Sequence, residues 1–286
     1  MDINERDRFL QRRYLKNKDL KYVPLSQLQF EMHLVDHCNL NCVGCDNFSP
    51  LAEPWFADLE KTESDFARLR ELFSGQCRYI RLLGGEPLLH PQVNDFIRLA
   101  REYFQDAALS IVTNGTLLGR MSDAFFETCL SEGVQISISR YPIPFDYESA
   151  LTQLRSMGID AFLNNQVEKT MYRNPISSKG ERDRRDSFIL CHRSNNCITL
   201  RDGKLYTCSL IPVIGILNRA FGTGFAVSEQ DYVDLRSTMT GQEILSHLAC
   251  PPDFCRYCNL RNAQFDIPWR VSERVPEEWI DDTKET

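Results

Sequence analysis

Between residues 29 and 163 five short apolar runs are separated by four longer segments of helical period, and that alternation admits few folds. Residues 29–35 set Phe30, Met32 and Leu34 against polar neighbours, the two-residue period of a strand. Thr62 and Asp65 have the spacing of a capping box ahead of a helix marked by Phe66, Leu69, Leu72 and Phe73. Strand-like runs recur at 79–83, 108–113, 134–139 and 159–163. Helical spacing separates them: first Val93, Phe96, Ile97, Ala100 and Phe104, then Phe125, Phe126, Cys129 and Leu130, then residues 147–157 closed by Gly158. Five βα-like units in a row argue for a parallel sheet with helices packed outside it.

After Asn164 the pattern changes. Residues 165–190 carry little periodicity and many charges, and read as a mobile or linking segment. Asp202-Gly203 then turns a β-hairpin, because that dipeptide favours the backbone geometry of a two-residue loop. A helix containing Ile244, Leu245 and Leu248 follows, and the last residues, from Val275 on, read as an acidic, partly disordered tail.

Composition narrows the function. Lys and Arg number 33 against 40 Asp and Glu, a net charge of -7 that gives no general attraction to a phosphate backbone, so nucleic acid is not an expected partner. No apolar run is as long as a membrane span and the N-terminus is charged where a signal peptide would be greasy, so a cytoplasmic protein without membrane contact is expected. In a reducing compartment eleven cysteines are better explained by metal binding or catalysis than by disulfides. Three of them, Cys38, Cys42 and Cys45, fall within eight residues on the loop after the first strand. Thiolates are soft ligands for zinc, cuprous copper or iron–sulfur clusters, and a structural zinc site wants a fourth residue. A four-iron cluster held by three cysteines instead leaves one iron open to a substrate or cofactor. A zinc knuckle completed by His33 or His37, or three unrelated buried cysteines, is the alternative.

C-x3-C-x2-C after the first strand, followed about forty residues later by Gly84-Gly85-Glu86-Pro87 after the second, resembles the radical S-adenosylmethionine (SAM) enzymes. The resemblance implies that Cys38, Cys42 and Cys45 bind a 4Fe–4S cluster, that SAM chelates its open iron, and that Gly84, Gly85, Glu86 and Pro87 contact the methionine amine. The chemistry of the residues agrees: a glycine pair allows close backbone approach, and a carboxylate suits an ammonium. Asn114, Ser137, Ser139 and Arg140, at the ends of the third and fourth strands, are further candidates for the SAM ribose and carboxylate. The family often has an aromatic residue before the third cysteine, where this chain has Gly44, so adenine packing is expected from elsewhere, with Phe48 the candidate. His37 and His90 are given no role, and Cys77 and Cys129 read as small hydrophobes.

Cys191, Cys208, Cys255 and Cys258 are similar in spacing to the twitch extension, the shortened SPASM domain, which carries an auxiliary 4Fe–4S cluster. A zinc site with the same four thiolates is the alternative there, and Cys197 and Cys250 are left as extras. The resemblance implies an α/β fold: a partial (β/α)6 radical SAM barrel over 26–188, preceded by an extension of 1–25, with a small hairpin-plus-helix cluster domain over 189–265 and a tail of 266–286. It also implies reductive cleavage of SAM to a 5′-deoxyadenosyl radical, hydrogen abstraction from a small-molecule substrate, and reduced flavodoxin or ferredoxin as electron donor. A small polar substrate, such as a sugar, aminocyclitol or nucleotide derivative, is favoured over a peptide, because only about 25 residues precede the first strand. A non-catalytic iron–sulfur or zinc module has no use for Gly84-Gly85-Glu86-Pro87. The basic run Lys179, Arg182, Arg184 and Arg185 is read as a solvated loop in preference to a lid that grips an anion, since acids alternate with it.

Overall fold

The computed structural model describes residues 3–164 and 170–283. They fold into two compact units, one from the described residues of 27–39 and 53–169, the other from those of 1–26, 40–52 and 170–286. The units thus draw on separated stretches of chain instead of following the sequence boundaries at 25, 188 and 265.

The first unit is the βα alternation. Strands β1 (Leu28–Val35), β2 (Cys77–Gly84), β3 (Ala108–Thr113), β4 (Val134–Ile138) and β5 (Ala161–Leu163) lie in the order β5-β4-β3-β2-β1. All four pairings are parallel. Helices Leu59–Phe73, Val93–Tyr103, Asp123–Ser131 and Tyr147–Ser156 make the crossovers, as parallel neighbours require. Among the described residues of this unit the parallel sheet has five strands, so the sixth expected from the resemblance has no counterpart in it. The first crossover helix begins at Leu59 and not at the Thr62/Asp65 box: the Asp58 side chain accepts from Lys61 N at 2.9 Å, while Thr62 Oγ1 turns back to Asp58 O. A side-chain acceptor one turn earlier satisfies an otherwise unpaired N–H, and that fixes the start.

Alternate strand residues face opposite ways. Phe30, Ile80, Leu82, Leu109, Ile111 and Ile136 are buried toward the helices, where Phe30, Phe66 and Phe104 form an aromatic core with ring centroids 5.6–6.0 Å apart. The other face carries a polar row read straight from the register: Glu31 opposite Arg81, Arg81 opposite Ser110, Ser110 opposite Gln135. Arg81 Nη1 pairs with Glu31 Oε1 at 2.8 Å, and Gln135 Nε2 donates to Asp160 Oδ2 at 2.5 Å. This face lines a cavity of about 630 Å³ that also takes in Tyr79, Leu83, Val112, Ser137, Phe162 and Asn164.

The second unit contains helix Ile3–Asn17, strand β6 (Thr170–Arg173), helix Arg184–Leu190, and the antiparallel strands β7 (Thr199–Arg201), β8 (Lys204–Tyr206) and β9 (Tyr232–Asp234). Helices Ile214–Phe221 and Gly241–Leu248 follow, and β10 (Gln264–Pro268) pairs with β6. Asp202 and Gly203 have φ of 49° and 76°, the two positive angles that a tight hairpin of this twist needs.

Two expectations are corrected here. Of 165–190, residues 165–169 lie outside the described residues; within the rest, 184–190 is a helix, capped by Asp183 through Asp186 N and burying Phe188, Ile189 and Leu190. The basic run is tied down: Arg184 pairs with Asp253, Arg182 Nη2 donates to Thr283 O, Lys179 Nζ donates to Asp282 O, and Arg185 lies over the Tyr22 ring. The acidic tail is ordered through Thr283, with Glu278 and Trp279 buried and Asp282 accepting from Ser177 and Ser178.

Candidate functional site

Gly84 and Gly85 are required by the backbone of the chain that leads into the cysteines. A Cβ on Gly85 would lie 2.0 Å from His37 O, and one on Gly84 2.2 Å from Val35 O. Gly85 N donates to Val35 O and Glu86 N to His37 O, so the end of β2 is laced to the chain just before Cys38. The close approach described by these contacts is that of the polypeptide to itself.

Glu86 is fully buried, and its carboxylate accepts from Leu88 N at 3.1 Å, Thr113 Oγ1 at 2.7 Å and Asn114 N at 2.8 Å. It caps the short turn at Pro87–Leu89 and ties β2 to β3. Desolvation raises its pKa from 4.5 to about 7, against those three hydrogen bonds. Since the folded value lies above the unfolded one, the stability linked to this proton is fully present below about pH 4.5 and is lost as pH rises through about 7. The span is roughly 2.5 pH units at about 1.4 kcal/mol each, on the order of 3 kcal/mol. Glu86→Gln, which cannot titrate, is expected to melt with a flatter pH dependence than the wild type between these limits. Parallel pH curves of the two apoproteins would contradict the assignment.

Asn114 sits beneath the start of the cysteine loop. Its Nδ2 donates to Asn39 Oδ1 at 2.8 Å and lies 3.7 Å from Cys38 Sγ, while its Oδ1 accepts from Thr116 N and Oγ1. Ser137 lines the cavity, and Ser139 N extends the ladder to Thr113 O. Arg140 pairs with Glu148 at 3.4 Å and leans on Tyr147. His90 is a buried structural group bonded to Ala57 O and Gln92 N.

In the other unit, Cys42 Sγ accepts from the indole N–H of Trp269 at 3.1 Å, and Cys45 O accepts from that of Trp279 at 2.9 Å. Burial pushes the Cys45 thiol up, while the N–H groups of Ser49 and Asn47 pull it down. Phe48 is 2 % exposed and packs edge-on against Trp279, so it has no face left for an adenine. The two tryptophans went unnoticed in the sequence, although a tryptophan is on average a well-buried residue, as Trp279 is here.

The same unit gathers the four later cysteines. The helix ending at Leu190 delivers Cys191, the hairpin delivers Cys208, and a turn at Asp253–Tyr257 delivers Cys255 and Cys258. Ser187 Oγ donates to Cys258 O at 3.1 Å, locking helix to turn. All four are free and buried. Burial first, then the other cysteines, pushes the Cys208 thiol up to about 12 and those of Cys255 and Cys258 well above the usual range. Among the described residues no three His, Cys, Asp or Glu side chains close into a metal-holding group, yet these four lie within electrostatic reach of one another. Four free sulfurs gathered in one unit suit a soft metal or cluster, which deprotonates the thiols that it binds. Arg193 adds a buried cation: its guanidinium pairs with Asp46 and its backbone N–H bonds Cys191 Sγ. Cys77 and Cys129 are buried singly, their thiols pushed up to about 12.

A five-stranded parallel sheet whose first loop starts the C-x3-C-x2-C run, braced by a glycine pair after the second strand, defines a class. Residues 32–144 match the model of the radical SAM superfamily, and this part of the chain is a radical SAM domain. The GTP 3′,8-cyclase of Chlorobaculum tepidum is 36% identical over 102 residues, 35% of this chain and 29% of that protein. That of Helicobacter pylori is 26% identical over 192 residues, 65% of this chain and 56% of that protein. The matched region is thus between about a quarter and just over half the length of these relatives. Among solved structures, BtrN in complex with AdoMet and 2-DOIA aligns at a TM-score of 0.50 and 15% identity, covering 90% of this chain and 98% of that one, a likeness of fold. No helix among the described residues is long and apolar enough to cross a membrane.

Proposed function

We propose that the chain is a radical SAM enzyme acting on a small polar molecule, with a 4Fe–4S cluster on Cys38, Cys42 and Cys45 and a second on Cys191, Cys208, Cys255 and Cys258. The observation that carries this reading is the cysteine run with its glycine brace inside the matched segment. When bound, the first cluster and SAM supply an electron and a 5′-deoxyadenosyl radical able to take hydrogen from a substrate.

This chain's residues do the positioning. Gly84 and Gly85 hold the backbone before Cys38 in place, and Asn114 and Trp269 orient two of the sulfurs. The polar face of the sheet, with Arg81, Ser110, Gln135 and Ser137, offers hydrogen bonds to hydroxyl or base groups in a cavity sized for a small molecule. The curated relatives act on GTP by name, which supports a nucleotide derivative as one such substrate. A cluster held by Cys191, Cys208, Cys255 and Cys258 would supply an acceptor for one electron from the substrate radical, with flavodoxin or ferredoxin as external donor to the first cluster.

Anaerobic reconstitution with iron and sulfide, then dithionite and SAM, is expected to release 5′-deoxyadenosine, measured by mass spectrometry. Iron should reach about eight per chain, against about four if the second site is absent. Cys42→Ala should retain about four irons and release no 5′-deoxyadenosine. A fully loaded wild type that leaves SAM intact would end the enzyme reading.

A further inference from the structure

The segment that the sequence reads as a tail closes over the cysteine run. Val43 N donates to Arg270 O at 2.9 Å, Ser272 N donates to Asn41 O at 2.8 Å, and Cys42 and Val271 form an antiparallel bridge between them. The segment has its own anchor. The buried carboxylate of Glu278 accepts from Ser272 Oγ, from Glu273 N at 2.9 Å and from Arg270 Nη1 at 2.7 Å. Trp279, one residue on, reaches Cys45 O, and Trp269 at the other end reaches the sulfur of Cys42.

The two indole contacts differ in kind. Trp279 bonds a carbonyl and so fixes the path of the chain. Trp269 bonds a sulfur that carries electron density once ligated, and an N–H aimed at such a sulfur favours the more negative, reduced state. We propose that Trp269 is a tuning residue that raises the reduction potential of the cluster held by Cys38, Cys42 and Cys45, set in place by the clamp of Arg270–Glu278 contacts. The proposal rests on the radical SAM reading above.

Trp269→Phe keeps an aromatic ring and removes the N–H. The expected result is wild-type iron content with a more negative midpoint potential for the cluster whose electron paramagnetic resonance signal changes on adding SAM, followed in a redox titration. Full iron content with an unchanged midpoint would overturn the proposal. Should Trp269→Phe lose iron, benzothienylalanine introduced at position 269 decides the matter, because it keeps the shape of the indole and lacks only the donor. A lowered potential in that variant supports the assignment, and a wild-type potential overturns it. A wild type that itself takes up no SAM-responsive cluster removes the underlying reading, an outcome visible before any variant is compared.

Discussion

Gly85→Ala is expected to unfold at markedly lower urea than the wild type and to lose SAM cleavage. The added methyl carbon would sit 2.0 Å from His37 O, 2.4 Å from His37 C and 2.7 Å from Asp36 O, and all three are backbone atoms that no rotamer change can move. Relief requires the end of β2 and the chain at 36–38 to separate, which breaks Gly85 N to Val35 O and Glu86 N to His37 O. Overpacking of about 1–3 kcal/mol plus two buried hydrogen bonds at about 1 kcal/mol each gives a loss of roughly 3–5 kcal/mol. Cys38 is the next residue along, so its sulfur is displaced with the backbone. Release of 5′-deoxyadenosine should fall at least about a hundredfold, as misplacement near 1 Å commonly produces. Gly119→Ala is the control: a Cβ there meets nothing within 4 Å, and both readings should stay at wild-type values. A Gly85→Ala protein with an unshifted urea midpoint and normal SAM cleavage would refute the bracing role.

The same glycine pair shows what the sequence could and could not disclose. The pair was legible as special backbone, because glycine takes conformations and contacts that a Cβ forbids, although a plain strand-end turn would use it too. The identity of the approaching atoms was not, because Val35 and His37 are about fifty positions away. Local signals served well where the physics is local. The βα alternation reports which strand face meets the helices, and Asp202-Gly203 reports a turn of two positive φ angles. They failed where a polar side chain meets a distant partner. Lys179 and Arg184 are exposed, as a run of mixed charge suggests, but the partners of Arg182, Arg184 and Lys179, namely Thr283, Asp253 and Asp282, lie far off in sequence. Glu278 and Trp279 look like tail residues, but they are held by Arg270, Ser272 and Cys45. Ion pairs and indole donors leave no periodicity, so the clamp on the cysteine run and the Asp46–Arg193 pair are visible only in three dimensions.

That pair should have a large and asymmetric effect on stability. The Arg193 side chain is 6% exposed and that of Asp46 35%, so the cation is the buried partner. Desolvation works against the Arg193 charge, but Asp46 first, then Cys191 and Cys208, more than offset it and push the pKa up. In the apoprotein burial keeps the Cys208 thiol neutral near pH 7, leaving Asp46 as the main counter-charge. Asp46→Asn therefore strands a buried guanidinium with a neutral partner, at a cost of about 3–5 kcal/mol to the apoprotein. Arg193→Met should cost less, because the freed carboxylate can reach water and the methionine fills much the same space. Adding Arg193→Met to Asp46→Asn should restore most of the loss. Iron loading changes the balance: ligation deprotonates the thiols and places negative charge beside Arg193, so the deficit of Asp46→Asn should shrink in the reconstituted protein. Urea midpoints of the apo and loaded forms of all four proteins test each step. An Asp46→Asn apoprotein within about 1 kcal/mol of the wild type would show that the pair carries no buried charge, because a surface pair is worth no more than about that.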